Sequence, residues 1–438
     1  MKPRGLILNR IGAAAAWGCL LSSLCLSIGA LPAIAAPQQN TNPAPYRKAT
    51  ATAKSLANSA EFKKLAARAK DAREQNRLKE AADLYQKALQ LNPRWEEGWW
   101  YLGTLDYDAN NYSNGVKAFS NLVELDRQDA PGWALLGLCE FAIHDYGNAY
   151  VHLEMAKSKG RALNDELWHV VEYHLALLDI LHSDFEAADT LLADLVDHNI
   201  FSQDVERAIG LTVLRVPLLP NQVDPEKDAL ISEAGRTGEL MALEDFNDAD
   251  VSFQHLLHDY PTTPFVHYAY AAMLFGLSQY AKAGEELREE VKLNPESAMP
   301  RLLLAFVNIR LDRPKDALPL AQEAVKLAPQ SFAAHYLLGR ADLGVDKVTD
   351  AANQLSIAKR LAPENAQVRY SLALALTRAK RPQEAAAEEA EFRRLSALVR
   401  RERSGGASEV KNSSGNSSEP GEIGLDQLQS PPVRSPHQ

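Results

Sequence analysis

Prolines recur along the chain at a fixed interval: Pro261, Pro295, Pro329 and Pro363 are 34 residues apart. The last three close the phrases Leu293-Asn294-Pro295, Leu327-Ala328-Pro329 and Leu361-Ala362-Pro363, and Leu91-Asn92-Pro93 carries the same phrase far upstream. Small residues keep the same step. Ala249, Ala283, Ala317, Ala351 and Ala385 form one series, and Ala271, Ala305, Gly339 and Ala373 a second. Nearer the start run Ala69, Gly103 and Gly137, then Ala81, Gly115 and Ala149, then Ala88, Leu122 and Ala156. A constant period of this length means one unit of supersecondary structure copied along the chain, each copy burying its apolar face on its neighbours. Two antiparallel helices approach closely only where the crossing residues are small and bulky ones fill the groove beside them. A proline cannot continue a helix interior, so it ends one unit and sets the step to the next. The pattern therefore predicts an all-α chain of stacked helix pairs.

The residues between the small positions resemble the tetratricopeptide repeat, whose pattern runs Trp-x2-Leu-Gly-x2-Tyr, then Ala-x3-Phe, then Ala, then Pro. Trp99-Leu102-Gly103 and Trp133-Leu136-Gly137 match the opening, with Asp106 and Glu140 in place of the tyrosine. Ala249-Phe253, Gly115-Phe119 and Ala81-Tyr85 match the middle. The resemblance implies a superhelical solenoid of antiparallel helix pairs, with units at 62–95, 96–129 and 130–163, then 230–263, 264–297, 298–331, 332–365 and 366–399. A degenerate unit lies near 169–202, with Ala176, Ala188 and Leu192 at the equivalent places. The expected organisation is a signal peptide over 1–35, a flexible leader over 36–61 and an N-terminal sub-array over 62–202. An irregular joint follows over 203–229, then a C-terminal sub-array with its capping helix over 230–403. Pro217, Pro220 and Pro225 put 203–229 out of step, as a joint or as a divergent helical pair. Glu391 to Glu402 reads as a charged capping helix, and 404–438, rich in Ser, Gly, Asn and Pro, as a disordered tail.

The first residues follow a different logic. Lys2, Arg4 and Arg10 precede an apolar run from Ile11 to Ile34, which ends in the small-x-small site Ala33-Ile34-Ala35. This predicts export to the periplasm or beyond, with cleavage after Ala35 and no membrane span left afterwards. The run is long enough to cross a bilayer, so retention as an anchor is the alternative; Pro32 and the alanine-rich exit favour cleavage. Cys19 and Cys25 leave with this segment, although neither follows a good lipid-attachment box. Cys139 then remains alone, which excludes an intrachain disulfide and leaves stability to burial. A formal charge of −10 makes nucleic acid an unsuitable partner.

Catalysis needs a convergent set of residues, and the usual ones are missing. There is no Gly-x-Ser-x-Gly elbow, no phosphate-cradling glycine loop and no paired-cysteine metal site. His169 and His174 are five residues apart, on different faces of a helix, and Tyr173 stands where an inverted zincin needs histidine. His255 and His258 lack further ligands. His267 and His335 occupy the tryptophan place of the repeat and read as rings filling that slot. Paired carboxylates such as Glu285-Glu286 and Glu388-Glu389 read as solvated helix faces. No enzyme, cofactor or metal is expected.

In the resembled family the first helix of each pair lines a concave groove. Carried over unit by unit, the groove positions are Trp100, Tyr101 and Tyr107, then Leu138 and Phe141. The later units add Phe265, Tyr268 and Phe275, then Leu302, Phe306 and Arg310, then Tyr336 and Arg340, then Tyr370, Leu374 and Arg378. Aromatic and arginine side chains are the types that carry interface energy. The members that grip a C-terminal carboxylate use lysines and asparagines, where this chain has Ala66, Trp100 and Leu302. The expected function is a non-enzymatic, exported scaffold binding peptide or helix segments of other proteins. The alternative is an accessory subunit or sensor of an envelope system, secretion or polysaccharide synthesis, binding a glycan or lipidated substrate through Trp99, Trp100 and Tyr101.

Overall fold

A computed structural model describes residues 46–160 and 163–405, with side chains described over 58–160 and 163–398. Among the described residues there are nineteen α-helices, two short 3-10 turns and no strand. The signal segment expected over 1–35, the leader before Tyr46 and the tail from 406 lie outside them. Contacts divide the chain into two compact units, Met1–Leu178 and Asp179–Gln438.

In the first unit, α1 (Tyr46–Glu74) packs on α2 (Leu78–Leu91), α3 (Glu96–Asp108) on α4 (Tyr112–Leu125), and α5 (Ala130–Ala142) on α6 (Tyr146–Ser158). Helix α7 (Asp165–Leu181) closes this unit and runs into the next. The second unit continues with α8 (Phe185–Asp197), α9 (Gln203–Val213), α10 (Asp228–Ala242) and α11 (Phe246–Asp259). Four regular pairs follow: α12 (Val266–Gly276) with α13 (Tyr280–Leu293), α14 (Ala298–Arg310) with α15 (Pro314–Leu327), α16 (Phe332–Gly344) with α17 (Val348–Leu361), and α18 (Ala366–Arg378) with α19 (Pro382–Gly405).

The small positions sit where the helices of a pair cross. A Cβ on Gly103 would lie 2.7 Å from the Phe119 ring, on Gly137 2.7 Å from Leu153 Cγ, and on Gly339 2.6 Å from Leu355 Cγ. Each bulky partner follows its glycine by 16 residues, and Phe119, Leu153 and Leu355 are all wholly buried. Burying a side chain of this size contributes about 1.5–3 kcal/mol, and the missing Cβ is what lets the partner helix come close enough to collect it.

The turns inside the pairs repeat as strictly. Asn76, Asn110 and His144 in the first unit, and Glu244, Ser278, Asp312, Asp346 and Lys380 in the second, have positive φ, and within each group the step is 34 residues. Each is the left-handed residue that ends a first helix. After α3, the Asn111 N–H donates to the Asp106 carbonyl at 2.7 Å and the Asn110 N–H to Tyr107 at 3.0 Å. This pairing satisfies carbonyls that the last helical turn leaves open. None of these residues is glycine, so each accepts a modest backbone cost that the two flanking helices hold in place.

Three expectations change. The leader expected to be flexible over 36–61 is helical from Tyr46, where α1 begins; the alanine- and lysine-rich stretch up to Phe62 suits a helix and extends the first helix of the first pair. The segment 203–229 contains a true helix, α9, packed against α10, followed by the 3-10 turns Pro220–Gln222 and Pro225–Lys227. The division between units falls at Leu178, ahead of that segment, because α8 packs onto α9 and α10. At the far end, the capping helix expected over Glu391–Glu402 is no separate element: α19 runs unbroken from Pro382 to Gly405, two residues into the stretch expected to be disordered.

Candidate functional site

First helices of successive pairs touch directly at α14 with α16 and α16 with α18, and in the first unit at α3 with α5. No two second helices are packed as extensively among the described residues, so the first helices line the tighter, inner side of each unit.

The groove candidates divide by burial. Tyr336 is completely buried, Tyr268 and Phe306 are 3% exposed, and Phe141, Phe275, Leu138 and Leu302 are also buried. These rings are core: Phe275 packs on Phe306 at 5.2 Å, and Phe141 meets Tyr146 at 5.3 Å. A side chain without accessible surface offers a ligand nothing in this conformation. The reason is the alternation of small and large residues, which draws the helices close enough to enclose the aromatic stripe. Trp100, Tyr101 and Tyr107 are half-buried and internally engaged, Trp100 against Phe119 at 6.2 Å, Tyr101 beneath the Arg73 guanidinium at 3.6 Å, and Tyr107 against Tyr112 at 5.6 Å. Tyr370 (41% exposed), Leu374 (38%) and the exposed Arg310 and Arg378 face solvent, with Arg340 half-buried. The arginines bind neutral oxygens nearby. Arg310 Nη2 donates to the Tyr280 hydroxyl at 3.1 Å, Arg340 Nη1 to the Tyr336 hydroxyl at 2.9 Å, and Arg378 Nη1 to the Leu343 carbonyl at 3.1 Å.

At the other end of this unit lies a pocket of about 400 Å³, walled by α8, the end of α9, α10 and α12. Arg215 occupies its wall. It is the left-handed residue that ends α9 (φ 53°), and the Val216 N–H donates to the Leu211 carbonyl at 2.9 Å to hold the turn. The guanidinium lies 2.8 Å from Glu186 Oε1 and over the rings of Phe185 at 4.9 Å and Tyr268 at 5.6 Å, with Phe265 at 6.0 Å. Glu290, fully buried, fixes two of those rings by accepting the Phe265 N–H at 2.8 and 2.9 Å and the Tyr268 N–H at 3.3 Å. It thereby caps α12, whose first N–H groups have no helical partner. Burial raises the Glu290 carboxyl above its ordinary range although these N–H groups pull the other way. Asp189, one turn beyond Glu186, lines the pocket. Solvent reaches it, yet the surrounding protein removes enough hydration, with Glu186 adding repulsion against the pull of Arg215, to lift its carboxyl to about 6.

The profile of the tetratricopeptide repeat matches residues 66–130, 303–343 and 336–397. Over those residues the 34-residue step in helix pairs, crossings and turns is that of the same repeat. The chain carries tetratricopeptide repeats. Proteins of this family are generally non-catalytic scaffolds for protein interaction. Similar solved structures include MamA residues 41-end from Desulfovibrio magneticus RS-1, 21% identical over 38% of this chain and 94% of that one at a TM-score of 0.36. YrrB, described as a TPR protein with an unusual peptide-binding site, is 17% identical over 41% of this chain and 94% of its own, also at 0.36. The Cut9–Hcn1 assembly of the APC/C is 12% identical over 77% of this chain and 87% of that chain at 0.33. Among curated proteins none matches the sequence.

The tryptophan place of the tetratricopeptide repeat shows why its histidines are structural. Trp99 Nε1 donates to the Pro93 carbonyl at 2.8 Å, Trp133 Nε1 to Arg127 at 3.1 Å, and Arg369 reaches Pro363 at 2.9 Å. His335 Nε2 lies 3.1 Å from the Pro329 carbonyl, so side chains of three kinds tie the inter-unit loop six residues back, while His267 Nδ1 lies 2.7 Å from Glu286 Oε2. Among the described residues no three His, Cys, Asp or Glu side chains are grouped to hold a metal ion, and no helix is long and apolar enough to cross a membrane. The sequence reading missed Arg215, Glu186 and Asp189. They lie in the degenerate unit and in the out-of-step segment, where repeat register assigns no groove positions. The residues that did signal the site were Phe265 and Tyr268, from the regular unit opposite.

Proposed function

We propose that this tetratricopeptide-repeat protein is an exported, non-enzymatic scaffold that holds segments of partner proteins along the inner face of its second unit. The carrying observation is the side-by-side exposure of Tyr370 and Leu374 on α18, where earlier units bury Leu302 and Tyr336 at the first place and Phe306 at the second, with the exposed Arg378 one turn further on. Large apolar groups left in water at successive helical turns form a strip that a bound segment can cover. Arg340 and Arg378 beside them pair with a hydroxyl and a backbone carbonyl, so both retain their full charge for acidic groups of the partner.

Reversing Arg340 and Arg378 together to glutamate is expected to weaken binding by roughly tenfold or more, through lost attraction and new repulsion. Circular dichroism of the variant is expected to be unchanged, because neither side chain is buried. The measurement is titration against a partner first captured by proximity labelling with the wild-type chain. Unaltered affinity would take the site off this face, to the Trp100–Tyr107 stripe of the first unit.

Export rests on the basic start, apolar run and Ala33-Ile34-Ala35 site. N-terminal sequencing of protein recovered outside the cytoplasm is expected to read from Ala36, and an intact Met1 in the membrane fraction would sink this part.

A further inference from the structure

The pocket around Arg215 carries a mismatch of charge. Its walls hold two carboxylates, Glu186 and Asp189, against one guanidinium, Arg215, and that guanidinium is already committed to Glu186 and to the faces of Phe185 and Tyr268. Glu186 Oε1 is buried and, although 2.8 Å from Arg215 Nη1, makes no aligned hydrogen bond. Asp189 has no hydrogen-bond partner among the described residues. Apart from Thr212, whose hydroxyl donates to the Ile209 carbonyl at 2.7 Å, the rest of the lining is apolar and includes Met241 and Met273 from α10 and α12 and the short side chains of Ala193, Ala242, Ala269 and Ala272.

A largely apolar pocket with surplus negative charge fits a long side chain with a cationic tip. We propose that the pocket binds a lysine side chain of a partner segment, its ammonium held at Asp189 with the nearby Glu186 adding attraction, and its methylenes lying against Phe185, Met241 and Met273. An ammonium has three N–H donors, enough for both Asp189 oxygens with one left for solvent. Methionine and aromatic walls suit the flexible stem. A carboxylate ligand is disfavoured, because it would have to displace Glu186 from Arg215. This inference rests on the reading that the inner face of the second unit binds protein segments, and adds the chemistry recognised at one end of it.

The groups facing Asp189 set the pH response. They are Glu186 on its own helix, Arg215 from the end of α9 and Tyr268 on α12, while α10 contributes only Gly238, Met241 and Ala242. The carboxyl is raised to about 6, so acidification through that value removes the charge that holds the ammonium. Lysine binding is therefore expected to be about tenfold weaker near pH 5 than near pH 7.5.

The test uses the full chain with its methionine methyls isotopically labelled, titrated with N-acetyl-lysine methylamide, its norleucine analogue and its glutamate analogue. The lysine derivative is expected to shift the Met241 and Met273 signals saturably and leave those of Met155 and Met299 in place. The norleucine and glutamate derivatives are expected to bind at least several-fold more weakly. Asp189→Asn is expected to bring the lysine derivative down to the norleucine level, with unmoved Met155 and Met299 signals showing that the fold survives. Equal binding of lysine and norleucine, tighter binding of glutamate, tighter binding of free cadaverine than of the capped lysine, or an Asp189→Asn variant that binds as well as wild type would each overturn the inference. The scaffold reading is judged separately by the Arg340 and Arg378 reversal, which lies outside this pocket.

Discussion

Gly210→Ala is expected to destabilise the second unit by about 3 kcal/mol or more, at the upper end of what overpacking costs. The methyl group would sit 2.0 Å from the Ile231 carbonyl oxygen and 2.9 Å from its carbon, and both are backbone atoms of α10 that no rotamer change can clear. Across the same crossing, a Cβ on Gly235 would lie 2.1 Å from the Glu206 carbonyl oxygen. Glycine at both places lets α9 and α10 pack backbone to backbone, and a single methyl must push the helices apart. The same movement would displace Thr212 and Arg215 on one wall of the pocket from Met241 on another, so the Met241 response to lysine is expected to vanish too. Gly284→Ala is the opposite case. Its Cβ would find Val307 at 3.5 Å, an ordinary contact, and alanine is preferred to glycine inside a helix by about 1 kcal/mol. Thermal unfolding followed by circular dichroism should therefore move down for Gly210→Ala and slightly up for Gly284→Ala. Similar shifts for the two would show that the α9–α10 contact is not as close as described.

Gly339→Trp is expected to disrupt the α16–α17 pair, while Glu389→Ala barely changes stability. An indole cannot be placed where even a Cβ stands 2.6 Å from Leu355 Cγ and 3.2 Å from the Ala351 carbonyl oxygen, so the pair must open at a cost of roughly 3 kcal/mol or more. Glu389 is exposed on α19, where substitutions stay within about 0.5 kcal/mol. Because repeats couple mainly to their neighbours, the damage should be local. Hydrogen exchange is expected to quicken in α16 and α17 first, with the first unit protected as before. Uniform loss of protection along the whole chain would argue that the repeats unfold as one body.

The repeat was legible because its signal is covalent spacing. Small residues that must face a helix crossing recur at the interval at which crossings recur, and Gly103, Gly137 and Gly339 meet Phe119, Leu153 and Leu355 as that logic requires. The turns were not legible, although they keep the same interval. Asn76, Asn110, Asp312 and Asp346 are of the types that accept the left-handed conformation, but His144, Glu244, Ser278 and Lys380 hold it as well, because the helices on either side impose it. The groove residues were legible in kind but not in state. Residue type picks out Tyr336 and Tyr370 alike, yet one is wholly buried and the other 41% exposed.

What the sequence alone determined is the repeat, the helix pairs and the crossing residues, since each follows from local periodicity and side-chain size. What only the tertiary structure decided is the helix at Gln203–Val213, the glycine contact that seats it and the pocket beside it. There the period breaks, and Glu186, Arg215 and Tyr268 come together from helices with no common register. Burial and charge balance at such a place depend on which backbones approach, and no spacing along the chain encodes that.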